Sequence, residues 1–158
     1  MDGQIFISYR RDDSAAFAGR MYDRLESHLG PNRIFMDVDT IDLGVDFVDA
    51  IEKSVGSCDA LIAVIGKNWL ISADKEGRRR LDNPEDFVRL EIATALRRGV
   101  RVIPVLVDGA TLPRSTDLPE DLRYLARRQA LEIRHERFKD DCGRLIAALE
   151  RALKEAGA

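Results

Sequence analysis

Ala60-Leu61-Ile62-Ala63-Val64-Ile65 is a run of six apolar residues with no polar position on either side of an extended chain. A strand with one wet face alternates polar and apolar residues, whereas one covered on both faces, as in a parallel sheet flanked by helices, reads as continuously apolar. Arg101-Val102-Ile103-Pro104-Val105-Leu106-Val107 has the same character, so these two runs form the centre of a sheet. Weaker β-branched runs at 4–8, 33–37 and 130–133 bring the expected strands to five. Pro104 is discordant, because it removes a ladder hydrogen bond and implies a bulge or a locally unpaired edge.

Amphipathic segments separate the runs. Phe17, Met21, Leu25 and Leu29 recur every four residues before Gly30-Pro31 stops the helix. Asp46 can cap a helix whose inward positions are Phe47, Ile51 and Val55 and which Gly56 closes. A polar excursion at 67–82 follows the third strand. Asn83 is then the expected N-cap, with Pro84 at the first helical position, Glu85 and Asp86 in the first turn, and a helix running to Arg98 and stopping at Gly99. Residues 108–118 read as loop, and Pro119-Glu120-Asp121 opens a short helix towards Arg128. A last helix follows the fifth strand and turns Cys142, Leu145, Ile146, Leu149 and Leu153 to one face. Strands alternating with helices in this way specify an α/β domain with a parallel sheet.

The composition agrees with one globular domain. At 158 residues the chain can bury roughly 70% of its unfolded surface without staples. It is 45% hydrophobic and 34% charged, with Lys+Arg 25 against Asp+Glu 28, so mixed signs and a normal apolar share exclude disorder. A net charge of −3 and the absence of a basic stripe interleaved with aromatics argue against nucleic acid as a partner. No apolar stretch approaches the ~20 residues of a membrane span, and the polar N-terminal dozen lacks a signal peptide's apolar core. A cytoplasmic protein is expected. Cys58 and Cys142 show no metal-ligand spacing and read as inert thiols, and no metal site is expected.

Four segments resemble the TIR (Toll/interleukin-1 receptor) domains, specifically their bacterial, NAD-cleaving branch. Phe6-Ile7-Ser8-Tyr9-Arg10-Arg11 is similar to the family's opening strand and its exit, and residues 35–44, ending in Asp42-Leu43-Gly44, to the second strand running into the BB loop. Gly66-Lys67-Asn68-Trp69-Leu70 resembles the exit from the third strand. Residues 87–96 are similar to the helix that bears the catalytic glutamate, here Glu91. Any one motif is weak; four in order across residues 3–153 carry the resemblance. It implies a flavodoxin-like three-layer domain with a five-stranded parallel sheet of order 2-1-3-4-5. It also implies NAD+ as substrate rather than as a bound cofactor, with release of nicotinamide and ADP-ribose or a cyclic ADP-ribose isomer, in bacterial antiphage defence or signalling. Head-to-tail self-association, with the BB loop of one subunit completing the site of the next, is implied as the activating event. Two departures stand out. Asp42 and Leu43 replace the prolines many members carry before the glycine, and Phe87 stands where enzymatic members often have Trp. The resemblance makes this aromatic an influence on whether the product is linear or cyclic. Residues 1–158 are expected to be a single TIR domain, the N-terminal effector part of a longer protein with a C-terminal sensor domain.

Glu91 also stands out from its own neighbours. The residues three and four positions away are Phe87, Val88, Thr94 and Ala95, none of them cationic, so it lies on the apolar side of its helix. A carboxylate there must be hydrogen-bonded, border a cleft or titrate upward; the alternative is a partly exposed acid at a helix shoulder. Glu85, by contrast, has Arg89 at i+4 and reads as an ordinary surface pair. Open α/β sheets bind ligands beyond the carboxyl ends of the strands at the switch point between the first and third. Ser8, Tyr9, Arg10 and Arg11 leave the first strand there, Asp37 leaves the second, Trp69 follows the third, and Asp42 and Gly44 belong to the adjoining loop. Arg10 or Arg11 can pair with a pyrophosphate or simply with Asp12 and Asp13, and Trp69 or Phe47 can stack on a ring or, for Trp69, fill the core.

Other chemistries are excluded. No G-x-G-x-x-G follows the first strand and no P-loop occurs, the third strand ends in Ile65-Gly66 rather than a receiver's phosphorylated Asp, and neither His28 nor His135 has a triad-like setting. Two rivals stay open: a non-catalytic TIR adaptor acting only through TIR–TIR contacts, and a nucleoside-processing glycosyl enzyme using a single carboxylate.

Overall fold

The computed structural model describes residues 3–36 and 41–157. Its elements in chain order are β1 (Ile5–Ser8), α1 (Arg11–Leu29), β2 (Ile34–Phe35), α2 (Phe47–Gly56), β3 (Ala60–Ile65), α3 (Phe87–Arg97), β4 (Arg101–Val107), β5 (Leu131–Ile133) and α4 (Phe138–Ala156). The five strands are all parallel in the order β2-β1-β3-β4-β5. The expected β3 and β4 have the observed bounds. Of the expected second strand only Ile34–Phe35 pairs, and Asp37 lies outside the described residues.

The uninterrupted apolarity of β3 has the anticipated cause. Leu61, Ala63 and Ile65 join a core with α2 and α3 on one face, while Ala60, Ile62 and Val64 join a second core with α1 and α4 on the other. The same alternation sends Phe6 to the α2/α3 face and Ile5 and Ile7 to the opposite one. Ser8, two residues beyond Phe6, is therefore aimed at α3.

Pro104 causes no bulge. Its register with Ala63 is continuous, and β5 pairs with β4 only from Val105 onward, so the missing N–H falls where β4 has no neighbour on that side. Asp46 caps α2 as expected, accepting from Val48 N at 2.8 Å. The expected start of α3 is wrong: Asp86, not Asn83, is the N-cap, accepting from Arg89 N at 3.1 Å. Asn83 instead receives Glu85 N in a local turn at 3.0 Å, which competes with capping. Glu85 thus precedes the helix, and Arg89 pairs with Asp121 rather than with Glu85. The segment after Pro119 is a 3-10 helix, Glu120–Arg127, whose buried Leu122 and Leu125 sit at the i, i+3 spacing that this tighter helix aligns.

Asp12 and Asp13 anchor the excursion after β3. The Asp13 carboxylate accepts Gly66 N at 2.8 Å and Asn68 N at 2.7 Å, and Asp12 accepts the Ser72 hydroxyl at 2.8 Å. A Cβ at residue 66 would stand 2.6 Å from Asp13 Oδ1, so any larger residue would displace the carboxylate that holds this loop. Cys58 and Cys142 are buried, and burial pushes both thiols up to about 11, which suits inert core residues. No helix among the described residues is long and apolar enough to cross a membrane.

Asp141 secures the start of α4. It is buried and accepts from Arg134 N at 2.9 Å, Arg134 Nε at 3.3 Å and Arg144 Nη2 at 2.8 Å. The Arg134 side-chain bond, above all, holds its carboxyl well below the usual carboxylate range against the opposing effect of burial. A depressed folded pKa stabilises the fold above the unfolded value of about 3.9, and that stabilisation fades as pH falls further towards the folded value. Asp141→Asn is therefore expected to lower stability by about 2 kcal/mol at neutral pH, the scale of a hydrogen bond to a charged group. Urea unfolding of both proteins at pH 7 and near pH 3 should show the gap narrowing in acid. An equal gap at both would mean that the charge is not its source.

Candidate active site

At the carboxyl end of the sheet, the exit from β1 and the first two turns of α3 enclose a cleft of about 530 Å³. Tyr9, Arg10, Arg11 and Asp12 line it from one side and Glu85, Asp86, Phe87, Val88 and Glu91 from the other, with Arg80 beside them. Glu91 is only 6% exposed. Its Oε1 accepts the hydroxyl of Ser8, itself buried, at 2.7 Å. Strand alternation explains this contact: Ser8 projects from the sheet face on which α3 packs, and α3 turns Glu91 back towards it.

The cleft's other charges are partly committed. Arg10, 3% exposed, gives Nη1 and Nη2 to the two oxygens of Asp86 at 3.0 and 2.9 Å, and its Nε is buried without a partner. Asp12 is engaged by Ser72. Asp12 and Asp13 thus hold the loop after β3, and the partner of Arg10 is Asp86. At the mouth, Phe87 is 41% exposed and its ring lies 5.1 Å from that of Phe47, tilted by 33°. The aromatic that replaces the family's Trp therefore rests on α2.

Of the expected site residues, Ser8, Tyr9, Arg10, Arg11, Phe87 and Glu91 come together here, with Phe47 behind Phe87. Trp69 does not line the cleft: it is fully buried in the α2/α3 core and offers no ring face to a ligand. Asp42 lines a separate groove of about 490 Å³ with Phe35, Ile41, Val45 and Lys53. Gly44 follows in a turn closed by Val45 N to Asp42 O at 3.1 Å, and its φ of 82° explains the glycine. Asp37 lies outside the described residues. Asp86 is the residue whose role the sequence left unassigned, since it placed Asp86 only in the first turn of the helix. The available signal was an Asp directly before the apolar periodicity that begins at Phe87 and Val88.

The chain belongs to the TIR domain family, whose model matches residues 5–146. Over 153 residues it is 28% identical to the Drosophila melanogaster protein named NAD(+) hydrolase sarm1, covering 95% of this chain and 10% of that one. Over 146 residues it is 27% identical to the Danio rerio NAD(+) hydrolase SARM1, covering 92% and 19%. The chain therefore spans only a tenth to a fifth of the length of these relatives. Two solved structures share the fold. The TIR domains of the activated Roq1 resistosome superpose with a TM-score of 0.61 at 14% identity, over 96% of this chain and 99% of that one. A TIR-STING receptor from C. gigas superposes with a TM-score of 0.58 at 22% identity, over 90% and 38%.

Proposed function

We propose that this TIR domain cleaves the nicotinamide–ribose bond of NAD+, with Glu91 as the essential carboxylate. The observation that carries the reading is Glu91 itself, 6% exposed on the wall of a cleft and held by Ser8. The two relatives named as NAD+ hydrolases support the choice of substrate.

The chemistry suits one carboxylate. Nicotinamide leaves a cationic pyridinium as a neutral molecule, so no general acid has to protonate it and half of the usual glycosidase apparatus is dispensable. What develops is an oxocarbenium-like ribosyl cation. An anionic Glu91 stabilises that charge more in the transition state than in the ground state, and its position is fixed in advance by Ser8. Water then captures the cation and gives up a proton to solvent to form ADP-ribose, or a nucleophile within the same ADP-ribosyl cation captures it to form a cyclic isomer. Phe87, resting on Phe47 at the mouth, is the group we assign to the choice between them.

In this reading the domain is the effector part of a longer cytoplasmic protein in bacterial defence or signalling, activated when copies assemble head to tail. The greater length of both relatives is in keeping with further domains. The test is chromatographic analysis of nicotinamide and ADP-ribose species from concentrated protein incubated with NAD+. Nicotinamide release is expected, and the second peak identifies the product as linear or cyclic. No turnover, even with a crowding agent to force assembly, would leave a non-catalytic TIR adaptor as the better reading.

A further inference from the structure

We infer that Arg10 and Asp86 are positioning residues for Glu91, a buried ion pair that fastens the start of α3 to the exit of β1, and that the Arg10 fork serves this purpose rather than a substrate phosphate. The inference rests on the proposed role of Glu91. Arg10 and Asp86 are 3% and 9% exposed, and both terminal nitrogens of the guanidinium are on the two carboxylate oxygens, at 3.0 and 2.9 Å. Such a planar fork on a planar carboxylate fixes orientation as well as distance. Asp86 also caps α3 through Arg89 N, so the guanidinium grips the helix at its first turn.

The pair works together with the Ser8–Glu91 bond. Arg10 remains extended, with φ −103° and ψ 123°, so Ser8 and Arg10 are alternate residues of one extended segment, about 7 Å apart along the chain. Asp86 and Glu91 are about 7.5 Å apart along the axis of α3. A helix attached to a strand at one point can pivot about it; two attachments with matched spacing remove that freedom. Ser8 receives the carboxylate at the strand end, and Arg10–Asp86 sets the direction from which α3 delivers it.

With two of its five N–H groups on a buried carboxylate, the guanidinium cannot turn towards a pyrophosphate without breaking the pair, which leaves an uncompensated buried charge. Removing one partner risks the fold for the same reason. Replacing both charges by neutral groups of similar volume avoids it, so the informative variant is Arg10→Met/Asp86→Asn, in which Asn retains an oxygen to cap α3.

Two measurements on this double variant test the pair. For NAD+ cleavage, a displacement of Glu91 by about 1 Å should lower kcat roughly 10- to 100-fold with KM for NAD+ within about threefold of wild type. Hydrogen exchange should become at least about tenfold faster at the Leu90 and Glu91 amides and stay unchanged in α4, to which neither member of the pair belongs. Undiminished kcat, or a raised KM with kcat intact as expected of a phosphate contact, would overturn the inference. So would unchanged exchange in α3. If wild type shows no turnover, the proposed function fails by itself, and the exchange measurement still decides whether the ion pair holds the helix.

Discussion

Glu91→Gln is expected to reduce NAD+ cleavage at least ~100-fold while leaving the protein folded, since removing one preorganised electrostatic group from an active site typically has that effect. The choice of glutamine matters. Its side-chain oxygen can still accept the Ser8 hydroxyl, now 2.7 Å from Glu91 Oε1, so that donor keeps its partner and the packing volume is preserved. What disappears is the negative charge facing the ribosyl cation. The loss should therefore fall on kcat, with KM little changed, because NAD+ in its ground state carries much less charge at the anomeric carbon than the transition state does. Nicotinamide release measured beside a thermal melt separates this from unfolding. Activity within tenfold of wild type in a folded Glu91→Gln protein would remove Glu91 from the chemistry. Glu91→Ala is the weaker test, since it opens a void and strands Ser8 as well.

How far these features were legible in the chain depends on the range of the interaction that determines each. β3 and β4 were delimited correctly because continuous apolarity is a local signal, and α2 because Asp46 caps it with an oxygen two residues from the amide it serves. The burial of Glu91 was legible from its uncharged helical neighbours. The start of α3 was not. Asn83-Pro84 carries a strong local start signal, yet Asp86 prevails because Arg10, 76 positions away, clamps its carboxylate where it can receive Arg89 N. The same distance hid the destination of Arg10, whose sequence neighbours Asp12 and Asp13 are occupied by Ser72, Gly66 and Asn68. Trp69 illustrates a third case: an aromatic in a polar stretch beside a strand exit reads equally as a stacking surface or as core, and its membership of the same core as Leu81, Leu122 and Leu125 from later segments decides for the core.

Leu43→Asp is expected to weaken self-association of the domain about 30-fold, the ~2 kcal/mol cost of losing an interface anchor. The side chain projects fully into solvent on the turn formed by Asp42, Gly44 and Val45, with Val45 50% and Phe35 41% exposed nearby. A lone exposed leucine is unremarkable, but Leu43 lies next in the chain to a groove lined by the exposed Phe35 and Val45, and together these have the composition of a contact surface. Their placement also bears on the site. Asp42 and Gly44, which the TIR resemblance associates with substrate, do not line the cleft that holds Glu91 in the same chain. A head-to-tail contact would instead set this turn of one copy against the cleft of the next, a heterologous arrangement that propagates instead of closing. Catalysis should then follow assembly. The specific activity of the wild type should rise with protein concentration in step with light scattering, and Leu43→Asp should need roughly 30-fold more protein to reach the same value. A specific activity constant across that range would show that one copy holds a complete site. Coincident curves for the two proteins would mean that assembly, if it occurs, uses another surface.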